Sequence, residues 1–173
     1  NKEEVFSIAL KRNLPEFVYE FIKLGIDPSK IFFENNAFFV SKNRYKRFFK
    51  CLYSNKAVNS DDTQLSAFIE SDNAIGKHIG ITDDLNDVLT TLVGDYMHKL
   101  YFDSNADEIK YRVSWGLIDQ NVEYNQTNPT NSDHHDKSSK ERVFDTIMRD
   151  LFIWAILMNH TEMAQVFLSH MKY

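Results

Sequence analysis

One stretch of this chain occurs twice. Residues 5–22 and 151–168 align at an offset of 146, with Phe6/Phe152, Ala9/Ala155, Asn13/Asn159, Glu16/Glu162 and Phe21/Phe167 identical and apolar residues at most positions between them. The shared pattern reads as helix, tight turn, helix. Ala9 and Ala155 sit where a small residue lets a partner helix approach. Asn13 and Asn159 follow the first helix and tolerate the left-handed conformation that ends it. Pro15 or Thr161 opens the next helix, where proline costs no hydrogen bond. Glu16 or Glu162 then faces the positive end of the helix dipole. Phe17, Val18, Phe21 and Ile22 form one apolar stripe of that second helix, matched by Met163, Ala164, Phe167 and Leu168. Gly25 closes the first hairpin.

A unit of this kind cannot bury its apolar face alone, so it belongs in a stack, and the expected architecture is an all-α, ankyrin-like solenoid fragment of helical hairpins. Composition agrees. The 173 residues contain only 5 Gly and 3 Pro, too few for the many tight turns of a β-rich domain. Between the repeats, Tyr45, Phe48, Phe49, Leu52 and Tyr53 predict a helix. Leu65, Phe68 and Ile69 start another. A longer helix is expected from about Asp83 to Tyr101, capped by Thr82 or Asp83, carrying the stripe Leu85, Val88, Leu89, Leu92, Val93 and Tyr96, with Gly94 inside it. Lys110 to Ile118 reads as one more, with Trp115 buried. The polar stretch from Asp119 to Arg142 reads as an inserted flexible loop, because it offers little apolar surface to offset the cost of ordering. The run Leu151 to Met158 is short enough for a buried strand, and the repeat decides for helix.

Several function classes lack support in the sequence. The net charge of −5 does not fit a nucleic-acid binder. Cys51 is the single cysteine, which fits a reducing compartment and an unreactive structural thiol. No apolar run reaches the length of a membrane span, and the start at Asn1-Lys2-Glu3-Glu4 reads as a segment of a longer protein. No phosphate-cradling or nucleophile-elbow motif occurs. His134 and His135, flanked by Asp133 and Asp136, fit a solvated loop better than a zinc site, whose ligands are spaced and usually include cysteine. His78, His98, His160 and His170 read as surface or packing residues. Asn125 and Asn159 head formal glycosylation acceptors and are expected to be unused. No catalytic, metal or cofactor site is expected.

Charge is distributed unevenly. Lys42, Arg44, Lys46, Arg47, Lys50 and Lys56 lie between Glu34 and Asp61 with no acid among them, whereas residues 57–108 hold 11 acids against Lys77 and Lys99. Lys42, Lys46 and Lys50 recur every fourth residue, opposite the aromatic stripe. A solvated helix face explains this, and Lys42, Lys46, Arg47 and Lys50 also suit an exposed surface for an acidic partner, including a neighbouring copy.

Three motifs in order resemble a known family. Arg149 to Ala164 looks like a segment in the cytosolic N-terminal region of melastatin-type transient receptor potential (TRPM) channels. Ala9 to Val18, followed by Phe21-Ile22 and Gly25-Ile26, is similar to the start of that family's later melastatin homology regions. Leu92-Val93-Gly94-Asp95-Tyr96, with Leu100-Tyr101 behind, resembles its Leu-Leu-Gly-Asp-Phe segment. The resemblance implies a non-catalytic helical module of a tetrameric cation channel, many members being calcium-permeable. It would lie on the cytoplasmic face of a membrane, most often the plasma membrane, with the membrane reached only through the parent chain. Its partners would be neighbouring domains and subunits of the same channel, and its role to couple ligand sensing to the pore. Ala9, Asn13, Glu16, Ala155, Asn159 and Glu162 would be hairpin architecture. The alternative is a soluble ankyrin-like scaffold that binds protein partners.

Overall fold

The structure, a computed structural model, describes residues 1–33, 38–39, 42–53, 82–119 and 133–172, of which 133–138 by backbone alone. All regular elements among them are helices: α1 (Lys2–Lys11), α2 (Pro15–Lys23), α3 (Ser29–Phe32), α4 (Lys46–Leu52), α5 (Thr82–Val93), α6 (Asn105–Ser114), α7 (Asp133–Leu157) and α8 (Thr161–His170). The expected helix at Leu65, Phe68 and Ile69 lies outside the described residues.

Both copies of the repeat are hairpins with the same turn. Asn13 and Asn159 have positive φ, 53° and 59°. Leu14 N donates to Ala9 O at 3.0 Å and Asn13 N to Leu10 O at 3.1 Å; the equivalent bonds run from His160 N to Ala155 O at 2.8 Å and from Asn159 N to Ile156 O at 3.1 Å. These paired bonds satisfy carbonyls that a helix end would otherwise strand. Gly25 ends α2 in the same way, with Ile26 N bonded to Phe21 O. Pro15 occupies the opening turn of α2, and Glu16 and Glu162 lie in the first turns of α2 and α8. A positive-φ asparagine and a first-turn glutamate thus occupy equivalent places in both copies.

α1 packs on α2, α7 on α8, and the hairpins stack with α2 against α8. α3 fills the space between α1, α4 and α7. One continuous core results, with Phe6, Leu10, Val18, Phe48, Leu52, Leu151, Trp154, Met163 and Phe167 among its buried members. Ala9 and Ala155 are both buried in it, so a larger side chain would collide with a neighbouring helix.

Three expectations change. α5 stops at Val93, and Gly94 adopts φ 125°, a conformation that L side chains avoid; a Cβ there would lie 2.6 Å from the Tyr96 ring. The stripe expected to run on to Tyr96 is buried only through Leu85, Val88 and Leu89, while Leu92, Val93 and Tyr96 face outward. α6 begins at Asn105, capped by Ser104, whose hydroxyl accepts from Asp107 N at 3.1 Å. Trp115, expected to be buried, is 63% exposed just after that helix, with its ring on His98 and Tyr111. Finally, 133–142 is not loop but the opening of α7. Once the apolar turns from Val143 onward are helical, each added residue extends an existing nucleus, and the polar composition of 133–142 does not oppose this. Residues 120–132 lie outside the described residues.

Candidate functional site: a cationic face on a locked helix

α4 has two distinct sides. Lys46, Arg47 and Lys50 are exposed, as is Lys42 just before the helix, so the four cations expected to form a partner surface all face outward. Phe48, Phe49 and Leu52 point into the core. Arg44, from the same basic run, does not join this face. It is buried, donating from Nε to Phe102 O at 3.0 Å and from Nη2 to Glu108 Oε2 at 2.9 Å, with its guanidinium 4.3 Å from the centre of the Phe38 ring. Glu108 also accepts from Arg112. The Arg44 side chain is thus a clamp between the start of α4, the extended segment at 101–103 and α6. The backbone reinforces it, Arg44 N donating to Asp103 O at 3.1 Å.

The next residue makes a second clamp. Tyr45 donates to Asp150 Oδ2 at 2.6 Å, across 105 residues of sequence. Asp150 is fully buried on α7 and accepts a forked pair from Arg149, Nε at 3.0 Å and Nη2 at 2.8 Å. Arg149 Nη2 also reaches Leu100 O at 3.3 Å. Asn86 on α5 holds the same segment as a strand would, accepting from Tyr101 N and donating to Tyr101 O at 2.8 Å. At the far end of α4, Trp154 Nε1 donates to Leu52 O at 3.0 Å. The short helix is therefore tied at its start to α6 and α7 and at its end to α7.

Burying this charge has consequences for titration. Burial pushes the Asp150 carboxyl above its ordinary value, opposed by the Arg149 charge and the Tyr45 hydrogen bond. Burial is the largest influence on Arg149 and works to lower its pKa, but the Asp150 charge, the neighbouring Tyr45 and Tyr101 and the hydrogen bond to Asp150 together raise it. Burial, and then the Asp150 charge, raise the phenols of Tyr45, Tyr53 and Tyr101. The hydroxyls of Tyr53 and Tyr101 are buried with no hydrogen-bond partner among the described residues. Such a network is costly when incomplete and rigid when satisfied, because a low-dielectric interior strengthens the bonds that form and penalises those that do not.

The sequence reading missed this junction. One signal was available: Asp150 lies on the apolar side of α7 between Ile147 and Trp154, and an acid on a buried stripe needs a partner. Cys51 is half-buried against the core. His160 sits in the second turn with its ring against Trp154 and its Nδ1 buried without a partner among the described residues. The side chains of His134 and His135 lie outside the described residues. No helix among the described residues is long and apolar enough to cross a membrane.

A family model described as TRPM2-like domain matches residues 2–172. No curated protein and no solved structure matches the chain.

Proposed function

The chain belongs to the TRPM2-like domain family, and from that premise we propose that it is a non-catalytic packing module of a tetrameric TRPM-type cation channel, coupling ligand sensing to the pore. The observation that carries this reading is the two-sided α4. Its cationic side offers Lys42, Lys46, Arg47 and Lys50 to an acidic surface of a neighbouring domain or subunit. Its inner side is clamped through Arg44 and Tyr45 to α6 and α7. A partner that displaces the cationic side therefore acts on the last hairpin and not on a loose surface helix. Coupling of this kind requires the partner to contact the face differently in the closed and open channel. Calcium permeability, a homotetrameric parent and a place on the cytoplasmic side of the plasma membrane belong to the same proposal.

Charge reversal tests it. Lys46→Glu with Lys50→Glu in the channel that carries this module is expected to shift the activation curve or to reduce assembly, read by patch-clamp recording and by native-gel size. Unchanged assembly together with unchanged gating removes the cationic face from the mechanism. The stacked hairpins also fit a soluble ankyrin-like scaffold. About six apolar stretches of ~20 residues in the longer chain decide for the channel, and further hairpins without such stretches decide for the scaffold.

A further inference from the structure

Three parts of the chain meet at the Asp150 carboxylate. Oδ1 is held by Arg149, and Oδ2 accepts from Tyr45 at the start of α4. The third part is Tyr101. Its ring lies edge-on to the Tyr45 ring, with centroids 5.3 Å apart, and its centre is 5.6 Å from the Arg149 guanidinium. Tyr101 therefore touches both groups that hold the carboxylate. Its backbone is fixed from α5, where Asn86 bonds to both Tyr101 N and Tyr101 O. Yet the Tyr101 hydroxyl, closed off from solvent, has no hydrogen-bond partner among the described residues. A buried hydroxyl without a partner destabilises a fold, and phenylalanine would fill the same space without that cost. Two phenols thus stand beside one carboxylate, and only one of them is bonded.

We propose that Asp150 is an exchange point with two settings. In the structure Tyr45 donates to it; in the second setting the carboxylate turns to Tyr101, which donates in its place. No proton is transferred, because a neutral phenol donates to the carboxylate in both settings. What changes is the tie. The first setting fastens α7 to the start of α4. The second fastens it to the segment that Asn86 holds on α5, and leaves α4 with the Arg44 clamp and the bond from Trp154 to Leu52. An element with two discrete arrangements can be biased by an outside contact. The inference rests on the proposed coupling through α4 and names the step at which a pull on the cationic face reaches the last hairpin. A partner that draws α4 outward favours the second setting, because it lengthens the Tyr45 bond and leaves Tyr101 in place.

Conservative variants of the full chain test it. Tyr101→Phe removes a hydroxyl that makes no bond in the first setting, so its urea midpoint should rise. Tyr45→Phe removes the donor of that setting, so its midpoint should fall. In NMR relaxation dispersion the amides of α4 and those flanking Asp150 should exchange on the microsecond-to-millisecond scale with a state populated at about 1–10%. Tyr101→Phe should abolish that exchange, and Tyr45→Phe should move the same amides toward the shifts of the minor state. Tyr53→Phe, which removes the unpartnered hydroxyl at the far end of α4, should leave the exchange in place. The inference is overturned by an unsubstituted chain without exchange, by exchange that survives Tyr101→Phe or disappears in Tyr53→Phe, by a Tyr101→Phe midpoint that falls, or by Tyr45→Phe shifts that stay where they were. Tyr101→Phe alone decides if Tyr45→Phe does not fold. Failure here leaves the channel proposal intact if Lys46→Glu with Lys50→Glu still alters gating. Unchanged gating and assembly in that pair, with the exchange present, removes the cationic face and keeps the exchange point.

Discussion

The first and last hairpins share a turn but not an environment. Asn13 and Asn159 adopt the same left-handed conformation and the same hydrogen bonds close both turns. Yet Ile8 faces outward where Trp154 is buried, and Leu14 lies exposed where His160 presses on Trp154. Local structure is therefore set by the unit itself, whereas burial is set by which neighbour lies on which side. In the last hairpin that neighbour is α4 with its clamps, whereas Val5, Ile8 and Phe17 of the first hairpin are exposed. The motif specifies a shape that stacks and leaves the stack to decide which face is covered.

The largest difference between the hairpins should come from Asp150, whose position in the repeat is held in the first hairpin by the exposed Glu4. Asp150→Ala leaves the half-buried Arg149 without its carboxylate and the buried Tyr45 without its acceptor, and should cost about 3 kcal/mol in urea unfolding. Glu4→Ala should change stability by less than ~0.5 kcal/mol. Similar losses at the two positions would break the contrast. Next, Trp154→Ala should cost about 3–5 kcal/mol, removing both core volume and the bond to Leu52, while Ile8→Ala at the equivalent position should cost under ~1 kcal/mol.

The turns should behave alike. Asn13→Ala and Asn159→Ala each force a Cβ without a compensating polar side chain into left-handed backbone, and each should lose about 1 kcal/mol. Equal losses sharpen the claim that the turn is a property of the unit, and unequal ones would tie it to the neighbours. The smallest effect concerns pH. Burial lowers the His160 pKa from 6.5, so the folded chain resists a proton that the unfolded chain accepts. Its stabilising contribution is complete above about pH 6.5 and is lost as the pH falls through the folded value. Replacing His160 with leucine, the residue of the first turn, should flatten the fall in melting temperature between pH 7.5 and 5.5.

What the sequence made legible was local. The Asn turns, Pro15, Glu16 and the aromatic stripe of α4 are signals carried within a few residues, and the helices they predict are present. The errors share a cause. Leu92, Val93 and Tyr96 continue a helical period, but period cannot reveal that Gly94 turns the chain. Trp115 is large and apolar, but burial needs a covering element and none lies over it among the described residues. Polar composition at 133–142 reports on solvation, not on whether a helix already running behind it will extend. Of the candidate site, the exposed cations at 42, 46, 47 and 50 were readable from spacing. The Arg44 and Tyr45 clamps were not, because their partners lie 58 to 105 residues away.

Native-state hydrogen exchange on dilute monomer, comparing Ile22→Ala with Leu168→Ala, tests the central claim most directly. The two residues are equivalent in the repeat, but Ile22 is buried in the core and Leu168 is 40% exposed. Ile22→Ala should lower the opening free energy of the slowest amides in α2 and in α8 alike, by about 2–4 kcal/mol, while Leu168→Ala should shift neither by more than ~1 kcal/mol. A loss confined to α1 and α2, or a Leu168→Ala effect as large as that of Ile22→Ala, would contradict the stacking of the two hairpins through α2 and α8.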